Sequence, residues 1–242
     1  MRKNIAIFAL LMGASMASAQ TMKIHLSDGT TATYPAERVN YVEFIEDDTP
    51  GGNGYDNGHE YVDLGLPSGL LWATCNVGAS SPEDYGDYFA WGETSTKSKY
   101  NWSTYFDTTD GGNTFQKYNN NGGKTVLDLS DDAAHVNWGG SWRMPTFEEQ
   151  EELMNECTWE WTTQNGVNGR KVTGPNGNSL FLPAAGCCNN SSLGGEGLYG
   201  EYWLSSLFAS DSSDAFYLIF NSNYESMTRS ERFYGQPVRP VR

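Results

Sequence analysis

A chain of 242 residues with 15 Lys and Arg against 30 Asp and Glu carries a net charge of −15. Phosphate would repel it, which argues against nucleic acid or an anionic membrane surface as partner. Its 8 Trp, 14 Tyr and 11 Phe exceed what a disordered chain holds, and its 27 Gly point to many turns and few long helices.

Residues 1–19 have the three parts of a secretion signal: basic Arg2 and Lys3, an apolar run from Ile5 to Ala17, and the small residues Ala17-Ser18-Ala19 at a cleavage site. The run is too short for a membrane span of ~20 residues, no later stretch reaches that length, and no transmembrane span is expected. Gln20 rather than Cys follows the predicted cut, so the usual lipid anchor is not expected. The predicted address is the periplasm, the outer cell surface or the medium. Export makes Cys75, Cys157, Cys187 and Cys188 candidates for disulfides, and four cysteines allow three pairings.

Residues 20–45 read as a small N-terminal β unit. Met22, Ile24 and Leu26 alternate with polar neighbours, Ser27-Asp28-Gly29 is a turn signal, and Thr30 to Tyr34 returns. Val39, Tyr41, Val42 and Phe44 offer a further extended segment. Residues 46–59, rich in Gly, Asn and Asp, read as a flexible linker to a main domain at 60–242.

In that domain Glu60–Leu64 and Leu70–Cys75 are strand-like pieces around a Pro67-Ser68-Gly69 turn. Tyr88 to Gly92 is a short aromatic stretch, and 93–124 reads as loop. Ser130 is placed to cap a short helix, with Asp131 and Asp132 where the helix dipole favours anions. A second helix begins at Thr146, whose pairing with Glu149 fits a capping box, with Phe147, Met154 and Cys157 on one face. Arg170–Thr173 and Leu180–Leu182 flank a Gly174-Pro175-Asn176-Gly177 turn; Tyr202–Ser206, Ala215–Asn221 and Pro237–Val241 are further strands. The fold class is α+β: two short helices with an antiparallel sheet.

Six blocks in consistent order resemble the Fibrobacter succinogenes major paralogous domain family of exported bacterial proteins. They are EYVDLGLPSGLLWATCNVGA at 60–79, YGDYFAWGE at 85–93, DDAAHVNWGGSWRMPT at 131–146, GNSLFLPAAG at 177–186, GEYWLSS at 200–206 and GQPVRPVR at 235–242. KIHLSDGTTATYPAERVNYVEF resembles a small β unit of exported Bacteroides-type proteins. The resemblance implies a C-type-lectin-like fold with two helices against a looped antiparallel sheet. It also supports a Cys75–Cys157 disulfide, because both cysteines stand in family-like contexts, while Cys187-Cys188 departs from the pattern. The family brings no catalytic residues to carry over.

Chemistry-bearing motifs are sparse. His25, His59 and His135 fall in separate segments, and capping explains Asp131 and Asp132 better than a metal does. Asp107-x-x-Asp110-Gly111-Gly112-Asn113 has the composition of a calcium loop without its alternating spacing. No cofactor is therefore expected, with calcium left open. Gly195-Glu196-Gly197-Leu198-Tyr199-Gly200 matches a dinucleotide fingerprint but precedes a strand, so it reads as a Gly-rich loop. Glu93 and Glu201, both beside aromatics, are the candidates for a glycosidase-like carboxylate pair. Trp72, Trp91, Trp138, Trp142 and Trp203 read as core, and Arg143 and Arg239 as donors to internal partners.

Residues 187–234 collect Tyr, Phe, Asn, Ser and Gly, the composition of adaptable recognition loops. Asn189, Asn190, Tyr199, Phe208, Asn223, Tyr224 and Phe233 are the candidate binding residues, with Arg229, Glu231 and Arg232 as possible sources of charge selectivity. The expected function is a non-catalytic binding or adhesion module for a glycan or cell-surface protein. Two alternatives stand beside it: a structural or tip subunit that joins a surface assembly through residues 21–45 by strand addition, and a carbohydrate-active enzyme.

Overall fold

The computed structural model describes residues 21–25, 31–36, 53–119, 121 and 123–242, in two compact units divided after Glu46. The expected leader, the expected Ser27-Asp28-Gly29 turn and the segment around Val39 to Phe44 lie outside the described residues. In the first unit, β1 (Thr21–His25) pairs antiparallel with β2 (Thr31–Pro35), Met22 opposite Tyr34. No helix among the described residues is long and apolar enough to cross a membrane.

The second unit is mostly antiparallel β with two short helices. It begins earlier than composition suggests. β3 (Gly54–Asp56) lies inside the expected linker and pairs with β4 (His59–Asp63), which pairs in turn with β5 (Leu71–Ala73). The Asn57-Gly58 link explains this, since both residues take positive φ (48° and 86°), the geometry of a two-residue hairpin turn. Asn165-Gly166 repeats the device at 48° and 85° between β6 (Thr158–Gln164) and β7 (Val167–Thr173). β8 (Ser179–Pro183) completes that sheet.

α1 (Ala133–Trp138) is capped by Asp132, whose carboxylate accepts from the His135 amide; Ser130, the expected cap, lies in a preceding 3-10 turn. α2 (Phe147–Glu156) has the expected Thr146–Glu149 capping box. Its buried face is Gln150 and Leu153, with Met154 and Cys157 only partly covered. The remaining strands are a small hairpin, β9 (Cys187–Asn189) with β10 (Ser192–Gly194), and the sheet β11 (Gly200–Leu207), β12 (Asp214–Phe220), β13 (Glu225–Glu231). The last residues are extended and close the domain: Val241 bridges Trp72 and Arg143, and the Trp203 amide donates to Pro237 O.

The five tryptophans expected in the core are all buried. Three satisfy their indole N–H on distant carbonyls: Trp91 on Leu204 (2.8 Å), Trp203 on Phe89 (2.9 Å) and Trp142 on Asp56 (2.9 Å). Arg239 is buried and donates to Asn76 Oδ1 and to the carbonyls of Ala73, Thr74 and Phe181. Arg143 forks onto Glu149. A narrow core gap bounded by Trp72, Gln150, Tyr202 and Arg239 is too tight for a water molecule.

The Cys75–Cys157 bridge expected from the sequence is not present: all four cysteines are free thiols. The two stand in different surroundings, Cys75 near Thr74 and Arg239, Cys157 near Glu152 and Glu156.

Candidate functional site

Register builds the site. In the sheet β11-β12-β13, Glu201 stands opposite Ile219 and Trp203 opposite Tyr217; Ile219 and Tyr217 face Ser226 and Thr228. Residues two apart on a strand share a face, so Glu201 and Tyr217 are diagonal neighbours. Trp203 anchors this face, edge-on to Tyr217 at 6.1 Å. β9 runs alongside through the Gly186–Gly200 bridge, and strand alternation divides the two adjacent cysteines. Cys188 packs with Tyr100 and Phe233, whereas the Cys187 thiol lies beside Glu201.

Electrostatics mark the same spot. Burial pushes the Glu201 carboxyl above its ordinary range, and only the Cys187 bond works the other way. Burial, and then the Glu201 charge, push the Cys187 thiol up to about 12. Tyr217 is raised chiefly by burial and then by Glu201, Cys187, Tyr224 and Tyr234. Tyr234 is raised by burial, then by Glu231, Cys187 and Glu201. Among the described residues no Lys or Arg pairs with Glu201. A half-buried acid without a counter-ion among the described residues, with Tyr217 as its diagonal neighbour, is the kind of perturbed group that collects at binding sites.

The predicted residues divide. Asn189 joins the cluster through its amide, 3.4 Å from the Tyr234 hydroxyl, and Tyr224, 44% exposed, lies within electrostatic reach of Tyr217. Asn190 adjoins it, in left-handed backbone at φ 52°, bonded to Asn101 and Asn189. Tyr199, 39% exposed, stands two residues before Glu201. Asn223 is exposed in the β12–β13 turn, its amide donating to Asn221 Oδ1.

Five residues belong elsewhere. Phe233 is a core residue, 8% exposed, stacked on Tyr234 and edge-on to Trp102. Phe208 packs on Phe216 beneath the Arg229 guanidinium, and Phe216 takes the sheet face opposite Tyr217. Arg232 cannot read ligand charge, being fully buried against Asp107 at 2.8 Å between aromatic rings. Arg229 is paired with Asp214 (2.8 Å), and Glu231 accepts from the Trp102 indole.

The carboxylate-pair candidates have separate partners. Glu93 is bound by Lys97 (2.7 Å) and the Phe106 amide, while Glu201 lies beside Cys187. Asp107 accepts amides of Gln116 and Lys117 besides Arg232, and Asp110 closes a local turn onto Asn113 and Thr114. Asp131 binds Lys117 and the Tyr118 hydroxyl. Among the described residues no three His, Cys, Asp or Glu side chains converge as a metal site.

Sequence reasoning did not anticipate Tyr217 and Tyr234; it weighed Glu201 only for catalysis and Cys187 chiefly as a disulfide candidate. The usable signal was alternation in GEYWLSS and DAFYLIF, which assigns faces once the pairing register is known. No protein-family model, curated protein or solved structure matches the chain.

Proposed function

We propose that the chain is an exported, non-catalytic binding or adhesion module with a C-type-lectin-like core, which recognises a glycan on its late-strand surface. The observation that carries this reading is the half-buried Glu201, without a counter-ion among the described residues, on a late-strand surface that also presents the accessible side chains of Asn189, Tyr224 and Tyr234. Carboxylate, amide and phenol groups bond well to hydroxyls, and tyrosine rings offer rigid contact at low entropic cost. The test is a glycan and mucin array probed with the purified chain, in calcium and then in EDTA. Specific binding that Tyr224→Ala weakens supports the reading. A silent array with folded protein overturns it, and EDTA sensitivity would bring calcium into the site.

A second reading, a subunit of a surface assembly, rests on the N-terminal hairpin. Two strands alone are marginal in water, and Thr21, Lys23, Thr33 and Tyr34 are exposed. Pairing with a strand of a partner would satisfy their edges. Deleting residues 21–35 should abolish assembly and spare glycan binding.

A further inference from the structure

We infer that the open edge of β13 is a pairing surface for a second copy of this chain, joined strand to strand about a two-fold axis at Met227. The sheet β11-β12-β13 treats its two edges differently. β11 is covered: the amides of Trp203, Ser205 and Leu207 donate outwards to the carbonyls of Pro237, Pro145 and Thr125. β13 pairs with β12 alone among the described strands. The Asn221 amide donates to Tyr224 O and the Arg232 amide to Ser213 O, which fixes the alternation of the ladder between them. Ser226, Thr228 and Ser230 therefore bond to β12, while Glu225, Met227 and Arg229 turn their N–H and C=O groups to the open edge. The bond that reaches these groups from within β13 is a long one, from the Ser226 hydroxyl to Met227 O at 3.3 Å.

Natural sheets guard an edge with lysine, proline, a bulge or a covering loop. ESMTRSE has no lysine, proline or glycine, and its register with β12 runs unbroken over the whole strand. Its charges are drawn to the chain's own groups: Glu225 to Arg170 (3.0 Å), Arg229 to Asp214 (2.8 Å) and Glu231 to the Trp102 indole (3.3 Å). Charge then selects both the occupant and the register. Centred on Met227, an antiparallel second copy sets Glu225 opposite the partner's Arg229, Arg229 opposite the partner's Glu225, and Met227 opposite the partner's Met227. These are the residues whose backbone groups face out, so each pair exchanges both its bonds. Opposite charges across a strand pair strengthen it, and like charges weaken it. A centre at Thr228 would put Glu225 against the partner's Glu231, and a centre at Arg229 would put two arginines face to face. A centre at Ser230 would overlap only residues 229–231 and use Glu231 O, which already accepts the Tyr234 amide. Arg229 and Glu225 keep reach for the partner, their side chains being 48% and 31% exposed. The axis stands perpendicular to the sheet, so the late-strand surfaces of both copies lie on one side of a continuous sheet, where a repeating ligand would engage both. The pairing itself does not depend on the glycan reading.

The experiment is sedimentation equilibrium of the full chain over a range of concentrations, beside Met227→Pro and Met227→Lys. A strand edge buries little area, so a reversible dimer is expected rather than a permanent one. Met227→Pro deletes an outward N–H at the axis and no ladder bond, an orientation in which edge strands tolerate proline. It should weaken the dimer at least about tenfold, and Met227→Lys, which sets two like charges at the axis, should do the same. An unchanged Tm shows that the fold is intact; if Met227→Pro melts early, Met227→Lys carries the comparison. Register has its own readout. Oxidised Met227→Cys should form a covalent dimer on a non-reducing gel, since directly opposed residues of such a pair lie about 5.5 Å apart at Cα, within disulfide reach. Thr228→Cys turns to the other face, opposite the partner's Ser226, and should cross-link no more than the parent with its own thiols. A chain that stays monomeric up to about 1 mM overturns the inference and leaves the edge to a strand of another protein. A dimer that both Met227 substitutions leave unchanged also overturns it, and its loss on deleting residues 21–35 would move the contact to the N-terminal hairpin. Cross-linking through Thr228→Cys in place of Met227→Cys overturns the two-fold axis at Met227.

Discussion

Replacing Arg232 by alanine should unfold the protein early without acting through the ligand. The guanidinium is fully buried and donates to Asp107, the Tyr105 hydroxyl and the carbonyls of Tyr118 and Ser212, with its centre 4.7 Å from the Trp91 ring and 4.4 Å from that of Phe115. Removing one partner of a buried ion pair costs about 3–5 kcal/mol. Each carbonyl left without a donor adds roughly 1 kcal/mol and the void among the rings about as much again, although these losses overlap. The Asp107 carboxylate keeps its bonds to the Gln116 and Lys117 amides, which softens the loss. A net cost of about 5 kcal/mol corresponds to a fall in Tm of about 10–20 °C for a domain of this size. Urea and thermal unfolding of Arg232→Ala, Arg232→Lys and the double variant Asp107→Asn/Arg232→Met measure it. Lysine keeps the charge and loses the forked geometry, so it should recover only part of the loss. The double variant should lose less than the sum of its single changes. A Tm for Arg232→Ala within about 3 °C of the parent would refute the assignment of this arginine to the core.

Other expectations follow from single contacts. Gly200→Ala should cost about 1–3 kcal/mol in urea unfolding, because the added methyl would run into the Phe220 ring across the β11–β12 pair. Cys187 should resist alkylation at pH 8, since its thiolate is scarce until the pH nears 12, and Glu201→Gln should quicken the reaction. In the unfolded chain this thiol ionises first, so its contribution to stability falls as the pH climbs through the alkaline range towards 12. All four thiols should titrate after unfolding without reductant, and a count of two would restore the Cys75–Cys157 bridge. Asp132→Ala should cost about 2–3 kcal/mol, since this carboxylate caps α1 and also accepts the Met144 amide. Burial raises the Asp132 carboxyl, so its contribution is greatest in acid and is lost as the pH rises through its folded-state value. Asp132→Asn should remove that slope from the pH–stability curve.

Local chemistry was legible wherever a short stretch decides its own conformation. Thr146 and Glu149 announce a helix start because both capping partners lie within one turn. The Gly174–Gly177 turn and the two strands it joins are legible for the same reason. Burial of the five tryptophans follows from their area, whatever the topology. Composition also singled out the stretch that carries Asn189, whose amide lies 3.4 Å from the Tyr234 hydroxyl.

Only the tertiary structure decided the rest, because it depends on partners distant in sequence. β13, ESMTRSE, has no apolar alternation and becomes a strand by pairing with β12. β3 hides in a Gly- and Asn-rich stretch that composition reads as linker. Arg232 and Phe233 sit in a polar, turn-rich passage and are nevertheless buried, because Asp107 and Trp102 from the long loop close over them. Glu201 looks like any surface acid in GEYWLSS until β9 brings Cys187 alongside and β12 sets Tyr217 on its face. A sequence states what each residue can bond to, but burial and the absence of a counter-ion are properties of neighbours that only folding assembles.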